Sequence, residues 1–373
     1  MAVCLSRRAF NTAACAGLAV LALPGARASA RLLDEPHVIC YTSADSVYAK
    51  VLFAKFTKAT GIRVDAVFDT EATKTTGLVQ RLLNEKDSTA ANRADVWWSS
   101  EPFGTIKLAR SGVLGEFTAP RAEAQMKPHG GWPANLRAAD SSWYGFGSRA
   151  RVIVYNTKFV TAADAPRRPG QLLRPALKDR VAIARPQFGT TRGHFAALVY
   201  RFDEEPFETW LTSLKAHGVR LMDGNASVVA AVARGECRVG LTDTDDVYAG
   251  QREGWPVAIS WEEQLTRVLR ADEPGIPVGA DLPGMGSMLI PNTVGMVKGG
   301  RNRAAAVELV EYLLSPAAQR SLAQTDSRNT PVDPDVRKEF AQYDVQNAGE
   351  LDLVKVADKI DAAMAICSRV LGA

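Results

Sequence analysis

Val239-Gly240-Leu241-Thr242-Asp243-Thr244-Asp245-Asp246 begins as a short apolar run and ends with three carboxylates and two hydroxyls in five residues. The run has the length of a buried strand, and the polar cluster starts where that strand should stop. A packed core has no use for such a cluster. Ligands of an open α/β sheet, by contrast, bind outside the carboxyl ends of its strands. Three mutually repelling side chains at one strand end suit a site where a cation, an amine or a set of donors meets them. Asp and Thr also cap helices and offset the positive end of the helix dipole, so the cluster alone reads equally well as a helix start.

The same unit of strand followed by polar loop recurs upstream. Residues 38–41 read as a strand ending in Thr42-Ser43-Ala44-Asp45, after which Val47, Val51, Phe56 and Ala59 recur at helical spacing until Gly61. A strand over 62–68 leads into a hydroxyl-rich loop containing Glu71 and Thr73, then a helix through Leu78, Leu82 and Leu83. The strand at 94–98 ends in Ser99-Ser100-Glu101-Pro102 before another helix. This alternation predicts a parallel sheet covered on both faces. Its loops share one edge, so Ser43 (with Thr42 beside it), Asp45, Glu71, Thr73, Ser99 and Glu101 would converge on one cleft, or else cap the helices that follow.

A second α/β unit follows residues 149–156, with strands predicted over 180–184, 219–222, 237–241 and 256–260. Its loops hold Gly189-Thr190-Thr191, Asp223-Gly224-Asn225 and the acidic cluster with Asp243, Thr244, Asp245 and Asp246. Gly189-Thr190-Thr191 before an apolar helix reads as an anion cradle built from unpaired N–H groups, or as an ordinary N-cap. Residues 288–297 form a strand-like return, and helices are predicted over 303–314, 317–323 and 351–371.

The chain has 373 residues, 46% of them hydrophobic and 23% charged, which suits roughly two globular domains. Its first thirty residues read as a cleavable export leader. Arg7 and Arg8 precede Phe10 in twin-arginine fashion, an apolar run spans 13–23, and Ala28-Ser29-Ala30 offers a cleavage site near Ala30. That leader holds Arg7, Arg8 and Arg27 and no acid, so 42 of the 45 basic residues remain against 41 acidic ones. Nothing in that balance argues for nucleic acid. Cys40, Cys237 and Cys367, far apart and odd in number, are expected as buried thiols. Tyr41, Trp98, Trp143 and Tyr248 are candidates to line the cleft or to pack beneath it. There is no nucleophile elbow, no P-loop and no zinc-spaced histidine pair, so catalysis is unmotivated.

Several stretches together carry a family likeness: YTSAD, FTKATGIRVDAVFDTEATKTTGLVQRL, ADVWWSSEPFGTIKLARSGVL, GFGSRARVIVYN, FGTTRGHFAAL, DGNASVVAAVARGECRVGLTDTDDV and IPNTVGMVKGG with EYLLSPAAQ. They resemble the ferric-iron-type periplasmic solute-binding proteins of ABC importers over nearly all of 37–330. The resemblance implies a two-lobed α/β fold of the type II periplasmic-binding kind, each lobe a mainly parallel sheet flanked by helices and joined by crossing hinge strands. It implies lobe 1 over 31–148 and 287–330, lobe 2 over 149–286, and C-terminal helices over 331–373 packed on lobe 2. A monomer that captures a small ligand or metal ion and hands it to an inner-membrane permease would follow, with no resident cofactor.

In ferric-binding members, two adjacent tyrosines occupy the positions of Asp245 and Asp246. The family's N-terminal histidine ligand matches Asp45, and Glu101 lies one residue beyond the position of its glutamate ligand. Gly189-Thr190-Thr191 and Asn225 match the segments that hold a synergistic anion. The resemblance therefore implies a metal ion at Asp45, Glu101, Asp245 and Asp246, with Thr42, Ser43, Glu71, Thr73, Ser99, Gly189, Thr190, Thr191, Asn225, Asp243 and Thr244 around it. The lost tyrosines leave open an organic zwitterion or amine, such as an aminophosphonate or a polyamine. A secreted hydrolase using the acidic cluster is the reading from another class.

Overall fold

A single glycine shows how the two halves of this molecule are joined. The long strand β5 (Tyr144–Asn156) is buried along its whole length and pairs antiparallel with β10 (Leu289–Val297) through its first part. The register slips between Pro291 and Asn292, where Gly147 stands with φ at +60°. A β-bulge of this kind needs a residue that tolerates the left-handed region, and it bends the strand. Beyond it, residues 151–155 of β5 pair with β8 (Val239–Asp243) and residues 153–156 with β9 (Val257–Ser260). One strand thus belongs to both halves of the sheet.

The computed structural model describes residues 36–69, 76–87, 93–187, 189–264 and 279–372. The predicted leader, Glu71 and Thr73 lie outside the described residues. Before β5 come β1 (His37–Thr42), α1 (Ser46–Thr60), β2 (Arg63–Phe68), α2 (Thr76–Asn84), β3 (Val96–Ser99), α3 (Pro102–Arg110), β4 (Leu114–Gly115) and α4 (Pro120–Met126). Between β5 and β10, besides β8 and β9, lie β6 (Val181–Ala184), α5 (Gly189–Phe202), α6 (Glu204–Ala216), β7 (Arg220–Met222), α7 (Asn225–Ala233) and α8 (Thr244–Arg252). After β10 come α9 (Arg303–Leu314), α10 (Pro316–Gln324), α11 (Pro334–Glu339), α12 (Leu353–Ala357) and α13 (Ile360–Leu371).

The sheet runs β2-β1-β3-β10-β5-β8-β6-β7, with β4 on β10 and β9 on β5. β1 is parallel to β2 and β3, and β6 is parallel to β7 and β8. Two parallel three-stranded cores are therefore joined by the antiparallel pair β5 and β10, as the α/β reading expects. The parallel cores direct their strand ends toward one another, which opens a cleft at the crossing strands.

Trp98, Phe53, Phe56 and Phe146 fill one face of the β1 side, and Phe195, Phe207 and Trp210 fill the β8 side. Burial of each such ring stabilises by roughly 1.5–3 kcal/mol. The three cysteines are free and buried, as expected. The helix predicted over 351–371 is instead two. The chain turns at Asp358, whose carboxylate meets Arg110 of α3 at 2.8 Å. α12 touches both α3 and α5, while α13 lies on α5 and α6. Among the described residues, no helix is long and apolar enough to cross a membrane.

Candidate ligand-binding cleft

A cavity of about 580 Å³ lies where the strand ends face one another. Most of its lining comes from residues just past a parallel strand: Ala44 and Asp45 after β1, Ser100 and Glu101 after β3, Arg185 after β6, Asp223 to Ser227 after β7, and Asp243, Asp245 and Asp246 around the end of β8; Asn292 of β10 and Leu322, Ser327 and Asn329 add to it. Arg149 of β5 forms part of its lining.

At the end of β8, Asp243, Asp245 and Asp246 bring one carboxylate oxygen each within 4.8 Å of the others. Asp243 is buried and already answered. Its Oδ1 accepts from Arg151 at 2.8 Å, and its Oδ2 accepts from Arg149 Nε at 3.1 Å, Thr190 at 2.8 Å and Asn225 at 3.1 Å. Burial opposes ionisation of Asp243, but Arg151 and Arg149 outweigh it and hold the carboxyl below the usual range. Arg149 also lies 3.5 Å from Asp245 and donates to the Ser100 carbonyl at 2.5 Å, so it spans the cleft floor. Burial works against its charge, yet Asp245 and Asp243 hold its pKa above the ordinary value. Asp245 and Asp246 are half-buried in the first turn of α8, on the cleft wall.

Two helix starts face these acids. The first turns of α5 and α7 line the cavity, and neither contains an acidic residue. Gly189 opens α5 with φ at +61°, and Gly224 precedes α7 without a side-chain cap. Thr190 and Asn225 are turned toward Asp243 and Arg151. The Thr191 hydroxyl is buried at the cavity wall with no hydrogen-bond partner among the described residues. Unpaired N–H groups and the positive ends of two dipoles make this wall suited to an anion.

Strand-end hydroxyls on both sides of the cleft serve the backbone or one another. The Thr42 hydroxyl accepts from Ala44 N, the Ser43 hydroxyl meets Ser99 at 3.1 Å and accepts from Ser100 N at 3.1 Å, and the Thr244 hydroxyl accepts from Ala150 N. Thr42, Ser99 and Thr244 do not line the cleft, and Ser43 lines a neighbouring cavity instead. Glu101 lines the cleft but caps α3, accepting from Phe103 N at 2.7 Å and Gly104 N at 2.9 Å. Burial raises its pKa against the pull of Arg192 and those N–H groups. Asp45 stands at the start of α1 without a side-chain capping bond and lines the cleft.

Sequence reasoning missed Arg149, Arg151 and Tyr48. The two arginines are spaced by two in an apolar strand, which puts both on one face, and that is a legible signal. Tyr48 of α1 lines the cleft one turn after Asp45. Its pKa is raised by burial and by the facing charges of Asp245, Asp45, Asp246 and Asp326. Of the aromatic candidates, Trp98 reaches the cleft and donates to Asn292 at 3.1 Å, whereas Trp143 and Tyr41 are core and Tyr248 packs on Tyr343.

Residues 105–349 match the bacterial extracellular solute-binding protein family. "Iron uptake protein A1" of a Synechocystis strain is 28% identical over 344 residues, 86% of either chain. The "Major ferric iron-binding protein" of Neisseria meningitidis is 24% identical over 304 residues, 81% of this chain and 83% of that one. Among solved structures, the apo ferric ion-binding protein A of Pasteurella haemolytica superimposes with a TM-score of 0.74 at 21% identity, covering 90% of this chain and 98% of that one.

Proposed function

This chain belongs to the bacterial extracellular solute-binding protein family, and from that membership we propose that it is the periplasmic binding component of an ABC importer, capturing a ferric-like metal ion together with an anion. The leader over 1–30 would export it, and an inner-membrane permease would receive the cargo. The observation that carries the metal reading is the close pair of carboxylates Asp245 and Asp246 on the cleft wall at the start of α8, with Asp45 and Tyr48 on the same cavity. An all-oxygen donor set suits a hard cation. Relatives whose names specify iron support that cargo.

Asp45, Asp245 and Asp246 would ligate the metal. Asp243 is committed to Arg149 and Arg151, so its task is to fix the strand end and the arginines. Glu101 is committed to α3 and stays outside the ligating set. The anion would sit against the first turns of α5 and α7, near the Thr191 hydroxyl, where it shares the metal's remaining positions. The cleft charges leave room for that pairing: a guanidinium beside Asp245 lowers the net negative charge, and a metal with its anion fits better than a bare cation. The same guanidinium favours a second reading, in which an organic zwitterion places its ammonium at Asp245 and Asp246 and its acid group at α5.

Native mass spectrometry of the purified mature protein, paired with elemental analysis, separates the two. Stoichiometric iron that is lost in the D245A/D246A variant is the expected result. A metal-free protein carrying a small organic mass, or stabilised by aminophosphonates and not by Fe(III), refutes the metal reading.

A further inference from the structure

Helix α8 holds Asp245 and Asp246 in its first turn and Tyr248 and Arg252 further along, so one nine-residue rod joins the proposed ligand groups to contacts made elsewhere. Those contacts fall on the segment after α10. Arg252 is ion-paired with Asp326, the Tyr248 ring meets Tyr343 edge-on at 5.4 Å, and Arg328 lies 4.9 Å over the same Tyr343 ring. The segment is anchored on the β1 side of the cleft. Thr330 exchanges backbone hydrogen bonds with Ser148 at 2.8 and 2.7 Å, and Asn329 accepts from Asn292 of β10 at 2.8 Å. The Thr330 hydroxyl donates to the Tyr343 carbonyl at 3.1 Å, and Gln319 of α10 accepts from Val332 N and Asp333 N. α8 follows β8, so these contacts tie one side of the cleft to the other. A second cavity of about 400 Å³, lined by Asp45, Tyr48, Arg252 and Asp326, opens beside the main one at this tie.

We propose that Arg252 and Tyr343 are positioning residues for the cargo: through α8 they hold Asp245 and Asp246 toward Asp45 in the closed cleft, and they set how long the cargo stays. The inference rests on the metal reading above. A helix of nine residues is about 14 Å long and moves as a unit, so pinning its far end constrains the turn that carries both carboxylates. For the cleft to open, α8 must part from the segment after α10. Because the tie must part before the cleft can open, its loss should act on release far more than on capture. Its parts are individually modest, because both members of the Arg252–Asp326 pair are partly exposed.

The mature protein is loaded with Fe(III) in phosphate, and release to excess chelator is timed for wild type, R252A, R252A/Y343A and the charge exchange R252D/D326R. R252A should release iron about 3-fold faster and R252A/Y343A about 10-fold faster, with an unchanged association rate and an unchanged melting temperature of the metal-free protein. The exchanged pair should release more slowly than R252A. Iron-loaded R252A/Y343A that releases at the wild-type rate overturns the proposal and leaves the metal reading standing. So does faster release accompanied by a matching fall in metal-free melting temperature, since that marks a purely structural role. Wild type that takes up no iron overturns both.

Discussion

The strand ends of the two sheet halves carry the same kinds of residue and do opposite things. After β1 and β3, Thr42, Ser43, Ser99, Ser100 and Glu101 turn inward and tie loop to loop or cap a helix. At the end of β8, Asp243 is held by two arginines from the crossing strand, and Asp245 and Asp246 stand on the cleft wall. The difference lies in what reaches each end. Hydroxyls can be answered by neutral groups close by: Thr42 and Ser99 take N–H groups two residues on, and Ser43 and Ser100 bond each other's adjoining loop. A buried carboxylate needs a full counter-charge, and here it comes from residues more than ninety positions away.

The strongest way to break this comparison is Asp243→Ala. It strands the buried guanidinium of Arg151 without its counter-ion and leaves that of Arg149 with Asp245 alone beside it. A buried pair broken on one side costs about 3–5 kcal/mol, so the midpoint of urea unfolding should fall sharply and cargo binding should go with it. A loss below about 1 kcal/mol would mean that the β8 end is as lightly held as the β1 end.

Behind Asp243, a smaller effect depends on pH. Glu262 is buried, its carboxylate 4.0 Å from His194, and burial raises its pKa from 4.5 to about 8 against the pull of Met285 N and Arg151. A carboxyl whose folded pKa exceeds its unfolded one contributes stability fully below pH 4.5, and that contribution is lost as pH rises toward about 8. The loss is at most about 1.4 kcal/mol per pH unit. His194 works the other way: burial and Arg151 hold its pKa well below 6.5, so it costs stability as pH falls beneath that value. In Glu262→Gln the decline from pH 6.5 to 8 should disappear and the loss on the acid side should remain. Unfolding curves that stay parallel to wild type across that range would contradict a raised Glu262.

Much of the architecture was legible from periodicity. The strand predicted over 62–68 begins at Arg63, and the helix predicted over 303–314 is found at those bounds. Local rules suffice there, because apolar spacing and a C-terminal glycine act within one element. The loops that line the cleft were legible for the same reason, since parallel strands fix which loops share an edge. Which side chains in those loops face the cavity was not. Thr42 and Ser99 bear the same groups as Thr191, yet their hydroxyls are spent at the strand ends while the Thr191 hydroxyl stands at the cavity wall. Arg149 and Arg151 were visible as a pair on one strand face, but the partner that gives them meaning arrives only when β8 lies alongside β5.

Glu101 tests the comparison at its finest, because it is a carboxylate on the side where polar groups serve the backbone. Its two oxygens take the Phe103 and Gly104 N–H groups of α3, which ties it to the helix in the way Thr42 is tied to its own loop. Removing such a cap costs about 0.5–2 kcal/mol. Glu101→Ala should therefore lower stability by about 1 kcal/mol in urea unfolding and leave the iron content of the loaded protein unchanged. Glu101→Gln should recover part of the stability, since an amide oxygen still accepts one N–H. Should Glu101→Ala instead lose its iron while stability holds, Glu101 would join Asp245 and Asp246 as a ligand, and the two strand ends would differ in degree only.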